Sequence, residues 1–350
     1  MLWRAPHITD THSFAHIVAG IIDARPSVGQ HIRRLHFGNS FGFSMSDSLL
    51  MLVVLHVPCL EELHLQGAED LTDMSITRLA YHCPRLQSLH LETNHHITSQ
   101  SLLSLAQHCH GLRTFGLVTH PHWPSATFVA TLATALPCLD ELLIHAGSSS
   151  LSYGDNTTMT EMVLALARLE RLTTLIIVPS PPLFMQPLLL VSSCTTVSSF
   201  WPQLTTFRLS ECGYITDQQA ISFLQTHHHL TTLDLMSATF TDRVLDVLPT
   251  YLPRLAWIGI EGNTNITHNG LRRLLSKCEG LHYVALFHCG ILAKDFPELN
   301  NDYNDDDNDV DCLQIGNPSH LRHLNFHAIN RIRHGSWSFL PRQQQQQQLV

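Results

Sequence analysis

An α/β solenoid, with a parallel strand ladder on the concave face of a horseshoe and helices on its convex face, is the fold this sequence predicts, and three observations predict it. A short motif, Leu-x-x-Leu-x-Leu, returns about eleven times along the 350 residues. Its first leucines are spaced by 26 from Leu60 to Leu86, 26 to Leu112 and 27 to Leu139, then by 26, 25 and 26 from Leu204 to Leu281. Between the motifs, apolar residues recur with helical spacing. A fixed period of roughly 20 to 29 residues is the mark of leucine-rich repeats. No such unit can bury its apolar face alone, so neighbours must stack.

The strand opens each unit. Clear copies are Leu60-Leu63-Leu65, Leu86-Leu89-Leu91, Leu112-Phe115-Leu117, Leu139-Leu142-Ile144, Leu204-Phe207-Leu209, Leu230-Leu233-Leu235, Leu255-Ile258-Ile260 and Leu281-Val284-Leu286, with weaker ones from Ile32, Leu172 and Leu321. A turn follows. Three residues after the last strand leucine stand Asn94, Cys212, Asn263 and Cys289, whose side chains can bond turn backbone between coils.

The helix closes the unit. Thirteen residues before the next strand leucine stand Asp47, Asp73, Ser99, Ala126, Asp217, Asp242 and His268, of which the Asp and Ser members are expected N-caps. Counting from them, apolar or small residues fall at +3, +6, +7 and +10, as in Ile76, Leu79, Ala80 and Cys83, or Leu271, Leu274, Leu275 and Cys278. That is one face of a helix.

Residues 1–27 are expected to form a short helical segment ahead of a repeat domain over 28–336, and 337–350, with Gln343 to Gln348, a disordered tail. Long intervals between motifs predict loops near 147–158, 179–200 and 293–318, the last holding the acidic run Asn300 to Asp311.

With 20 basic against 29 acidic side chains and a net charge of -9, the chain is unsuited to neutralising phosphates, so no nucleic-acid partner is expected. The most apolar stretch, Leu49 to Val57, is interrupted by His56 and falls short of the roughly 20 residues that cross a bilayer. No membrane partner is expected either. The first residues lack the pattern of a secretory signal, and nine cysteines spread over a long chain read as reduced thiols, which together point to the cytoplasm or nucleus.

The best single repeat, Cys83-Pro84-Arg85-Leu86 through Asn94-His95-His96-Ile97-Thr98, resembles the cysteine-containing leucine-rich repeats of F-box proteins, and the likeness runs from about Ile32 to Phe326. Leu2-Trp3-Arg4-Ala5-Pro6 is similar to the segment that follows the F-box in fungal members of that family. The F-box itself is not among these residues. The resemblance implies the substrate-recognition part of an SCF-type ubiquitin-ligase receptor, with the Skp adaptor and cullin as partners if an F-box is encoded upstream of Met1. A free-standing repeat adaptor, like the related antagonist-of-mitotic-exit proteins, is the alternative, and an enzyme inhibitor or GTPase activator of similar fold is a third.

No catalytic residue, cofactor or metal is expected. The 26 histidines include His227-His228-His229, His95-His96 and His120 with His122, but their spacing varies, no Cys-x-x-Cys accompanies them, and His227 holds the +10 core position. Cys83, Cys109 and Cys278 share that register and read as small buried thiols. Asp305, Asp307, Asp309 and Asp311 alternate as in a calcium loop, yet Val310 and Gly316 stand where Gly and Glu are required.

The remaining candidate is the concave sheet surface, built of residues that alternate with the strand leucines. Its expected partner-binding residues are His90, Glu92, Arg208, Met236, Trp257, Glu261, Tyr283 and Phe287, and the partner is a protein. Large aromatic groups at outward positions suit a binding anchor. The competing expectation is that the loop around 300–311 folds over them.

Overall fold

The computed structural model describes residues 5, 7–8, 11–23, 28–38, 44–92, 96–119, 124–146, 156–180, 200–299 and 320–335. The predicted acidic run, the Gln-rich tail, Asn94 and most of the predicted loops lie outside these residues. The chain divides into two compact units, Met1–Leu188 with Phe200–Gln203, and Leu189–Ser199 with Leu204–Val350.

In the first unit the strands are β1 (His7–Ile8), β2 (Arg34–Phe37), β3 (Glu62–Leu65), β4 (Ser88–Leu91), β5 (Thr114–Thr119), β6 (Glu141–Ala146) and β7 (Thr174–Val178), each parallel to the next. The helices are α1 (Thr11–Asp23), α2 (Asp47–Val54), α3 (Asp73–His82), α4 (Ser99–His108), α5 (Ala126–Ala135) and α6 (Asn156–Leu166). The second unit continues the alternation with β8 (Thr206–Leu209), α7 (Asp217–Leu224), β9 (Thr232–Leu235), α8 (Asp242–Tyr251), β10 (Trp257–Gly259), α9 (His268–Lys277) and β11 (Tyr283–Ala285). It ends in two short 3-10 turns, Ala293–Asp295 and Pro297–Leu299, then β12 (His323–Leu324) and α10 (Phe326–Gly335).

Both leucine sets face one interior. Leu63, Leu65, Leu89, Ile76, Leu79 and Ala80 are fully buried in the first unit, as are Leu271, Leu274, Leu275, Leu281 and Val284 in the second. Each large side chain so placed contributes about 1.5 to 3 kcal/mol. The turn after the strand needs a left-handed residue, supplied by Gly67, Glu211, Ser237, Gly262 and His288. Ala68, Cys212, Ala238, Asn263 and Cys289 follow it and are buried.

The helix starts differ from expectation by one residue. The N-caps are Ser46, Thr72, Thr98, Ser125, Thr216, Thr241 and Thr267, whose hydroxyls accept from amides two or three residues on. The aspartates sit one position further in, where a carboxylate faces the positive helix end, and they reach across to the next coil. Asp73 accepts from the Thr98 amide at 2.8 Å and its hydroxyl at 2.5 Å, and from Ser101 Oγ at 2.5 Å. Asp47 does the same to Thr72 and Ser75, Asp217 to Thr241, and Asp242 to Thr267. Each carboxylate thus fastens the cap of the following helix. Burial works against the charge of Asp47 and Asp73, but these hydrogen bonds outweigh it and hold both carboxyls below the ordinary range.

The last strand also departs from expectation. The copy beginning at Leu321 forms β12, which runs antiparallel to β11, pairing Val284 with Leu324 and Ala285 with His323. Here the chain caps the ladder. Arg333 on α10 donates to the carbonyls of Leu275, Cys278 and Leu281, and Arg272 clasps the buried Glu298 at 2.6 Å and 2.9 Å.

Candidate recognition surface

Strand pairing sorts the outward side chains of each ladder into rows. Within the first unit the middle row runs His36, His64, His90, Gly116, Leu143 and Ile176. The imidazoles meet across strands, with ring centroids 4.2 Å apart for His36 and His64 and 5.3 Å for His64 and His90. Glu92 Oε1 accepts from His64 Nε2 at 2.6 Å. Burial, with His64 beside it, lowers the proton affinity of His90. The His90 ring lies over Gly116, where a Cβ would come within 2.2 Å of it.

Within the second unit the middle row is Arg208, Asp234, Gly259 and Ala285, while Trp257 and Tyr283 belong to the row beside it. Trp257 and Tyr283 are parallel within 3°, with centroids 5.8 Å apart, and Tyr283 stacks on His323 at 5.4 Å and 12°. At the other end the Arg208 guanidinium lies 5.2 Å from the Trp257 ring centre. The result is a ladder from Arg208 through Trp257 and Tyr283 to His323. A second guanidinium, Arg322, covers Phe287 at 4.9 Å. Trp257, Tyr283, Phe287, Met236, Glu261 and Arg208 are half-buried.

Asp234 stands on β9, between Arg208 on β8 and Gly259 on β10. Alternation assigns it to the outward side, yet it is only 1 % exposed. Its Oδ2 accepts from Arg208 Nε and Nη2, both at 3.0 Å, and its Oδ1 has no hydrogen-bond partner among the described residues. Gly259 makes the room: a Cβ there would stand 2.2 Å from Asp234 Oδ1 and 2.8 Å from Trp257 Cη2. Burial pushes the Asp234 carboxyl up to about 6 against the pull of Arg208, and Glu261 adds repulsion.

The eight expected site residues therefore fall into two groups. His90 and Glu92 belong to the first unit, and the other six to the second, where the structure joins Arg208, Trp257 and Tyr283 in one stack. Alternation along the strand puts Asp234 on this surface but does not show its burial, and it passes over Gly259, His323 and Arg322. Gly259, a glycine inside a strand motif, is the signal that could have found the burial of Asp234. Sequence reasoning also passed over Val118, Leu143, Ile176 and Val178, half-buried apolar residues on the outward side of β5 to β7.

The chemistry elsewhere is consumed by the fold. Burial raises the thiols of Cys83 and Cys109 to about 12 and that of Cys278 to about 11, and Cys109 Sγ donates to the Cys83 carbonyl of the preceding coil. His227 is buried, bonds the Phe223 carbonyl through Nδ1 at 2.8 Å and stacks on the Phe223 ring. Among the described residues no group of three or more His, Cys, Asp or Glu is arranged to hold a metal ion. No helix among them is long and apolar enough to cross a membrane.

Repeated strand-turn-helix coils, leucine-filled between a parallel ladder and a helix layer, define a leucine-rich-repeat solenoid. No family model matches the chain, and no curated protein matches it by sequence. Among solved structures it is similar to a chain of "Crystal structure of Rad7 and Elc1 complex in yeast", with a TM-score of 0.54 and 17% identity over 78% of this chain and 67% of that one. That likeness bears on the fold alone.

Proposed function

We propose that the chain is a protein-recognition module that binds its partner on the sheet face of the second unit and catalyses no reaction itself. The observation that carries this is the half-exposed Trp257 and Tyr283 pair, held rigid by stacking at both ends. Aromatic anchors fixed before binding lose little entropy on association and dominate interface energies. The finer reading is the substrate-recognition part of an F-box type ubiquitin-ligase receptor, acting in the cytoplasm or nucleus. Its supports are the cysteine-containing repeat pattern and the fold shared with a chain solved as a complex of Rad7 and Elc1.

Replacing both anchors, Trp257→Ala with Tyr283→Ala, is expected to weaken partner capture at least about tenfold, since hot-spot truncations commonly cost more than about 1 kcal/mol each. Affinity capture with quantitative mass spectrometry measures it. Unchanged capture by a variant with a normal far-ultraviolet spectrum would defeat the reading. The ubiquitin-ligase reading is tested separately, by asking whether the protein extended upstream of Met1 co-purifies with a Skp adaptor and cullin. If it does not, the free-standing adaptor is the better description.

A further inference from the structure

The Asp234 carboxylate is an anomaly. A carboxylate enclosed this fully is ordinarily satisfied at both oxygens, because an unpaired buried oxygen costs its full desolvation penalty. Here Oδ2 takes both bonds from Arg208, while Oδ1 faces Gly259 and the edge of Trp257 with no donor among the described residues. The oxygen that lacks a donor is therefore the one that can receive a proton without breaking a bond. Arg208 is 41% exposed along its side chain and depends on Asp234 for its only described ion pair.

We propose that Asp234 is a proton-operated latch on the recognition surface: ionised, it holds Arg208 against the face of Trp257, and protonated on Oδ1, it releases that guanidinium towards solvent, where a carboxylate or phosphate brought by a partner can take it. The regulatory part rests on the reading of this face as a binding surface; the latch itself does not. Solvent supplies the proton, the carboxylate becomes a neutral carboxyl, and Arg208 stays cationic throughout. With the charge gone, the two bonds from Arg208 lose their charge assistance, and charge-assisted bonds are about twice as strong as neutral ones.

The charged and titratable groups around Asp234 favour this behaviour. Arg208 on β8 opposes protonation, Glu261 after β10 favours it, and the Cys212 thiol beneath stays protonated because burial pushes it upwards. On β10, Gly259 and the uncharged Trp257 ring lie beside it. The balance lies on the side of protonation in mild acid, with a midpoint at about 6. Such a face would take an acidic partner group more readily on modest acidification.

The test is a pH titration of tryptophan emission on the full chain, taking the difference between the native protein and Trp257→Phe to isolate the one indole. The expected result is a single transition near pH 6 in that difference, lost in Asp234→Asn, where neither charge nor titration remains. Arg208→Gln provides a second variant, in which the proton still binds but the stacked cation is missing, so the transition should lose most of its amplitude. Persistence of the transition in Asp234→Asn, or its absence from the native protein between pH 5 and 7, would overturn the latch. Failure of partner capture by the anchor variants bears on the binding reading and leaves this titration unaffected.

Discussion

On β2 to β4 the rings that meet across strands are histidines, and His36, His64 and His90 occupy the middle of each strand; on β10 to β12 they are Trp257, Tyr283 and His323, and the middle positions hold Gly259 and Ala285. Each ladder has parallel strands backed by its own leucine core. What differs is which row carries the bulk. Each ladder also contains one glycine over which a neighbour leans, His90 over Gly116 and Asp234 with Trp257 over Gly259. In the first unit the leaning group is a half-buried ring. In the second it is a carboxylate only 1 % exposed. The repeat therefore dictates where outward side chains stand, and the small residues among them decide which become buried and chemically unusual.

The frame that both ladders share can be broken first, with the largest effect. Asp73→Ala in the first unit and Asp242→Ala in the second each remove the carboxylate that fastens the next helix cap, and each is expected to cost roughly 2 to 3 kcal/mol, because several bonds to a charged acceptor are lost together. Urea unfolding midpoints check this. If only one unit is sensitive, the frames are not equivalent.

Asp234→Asn sharpens the comparison, with an effect of opposite sign. A carboxyl moved from 3.8 to about 6 is held in the fold at the expense of its ionised form, by roughly 3 kcal/mol at about 1.4 kcal/mol per tenfold change in proton affinity. The native protein's contribution from Asp234 is thus most favourable below pH 3.8 and is lost as the pH rises through 6. Asn at this position should raise the melting temperature at pH 7.5 and flatten that dependence. Asp47 and Asp73 behave the other way: their lowered carboxyls favour the fold above pH 3.8, and that benefit disappears as acid protonates them. Melting curves at pH 2.5, 4, 6 and 7.5 separate the two behaviours.

The glycines make the comparison direct, with the smallest effects. Gly259→Ala forces a Cβ against Asp234 and Trp257, and overpacking of this kind costs about 1 to 3 kcal/mol. Gly116→Ala meets the His90 ring, a half-buried side chain and not a buried carboxylate, so a smaller loss, below about 1 kcal/mol, is expected. Equal losses in thermal unfolding would show that the buried Asp234 does not set the two faces apart.

Much of this was legible in the sequence. The leucine period fixed the coils, and the +10 register correctly read Cys83, Cys109, Cys278 and His227 as interior. The helix starts were read one residue late because a Thr and an Asp stand side by side and either can cap a helix; what separates them is a bond to a coil some 25 residues away. The direction of β12 escaped because alternation along Leu321 to Leu324 is the same in a parallel and an antiparallel strand. Asp234 was assigned to the surface by alternation, and only the missing Cβ of Gly259 allows it to be covered. Exposure on a sheet face depends on neighbouring strands, which local patterning does not contain.

The central claim is that a partner docks on the aromatic ladder of the second unit. Its most direct test places a photo-activatable phenylalanine analogue at position 283 in place of Tyr283 and irradiates the protein in a lysate of its own cells. A discrete cross-linked protein is expected, one that disappears when Trp257→Ala is added to the same chain. Absence of any adduct, or an adduct indifferent to Trp257→Ala, would contradict it.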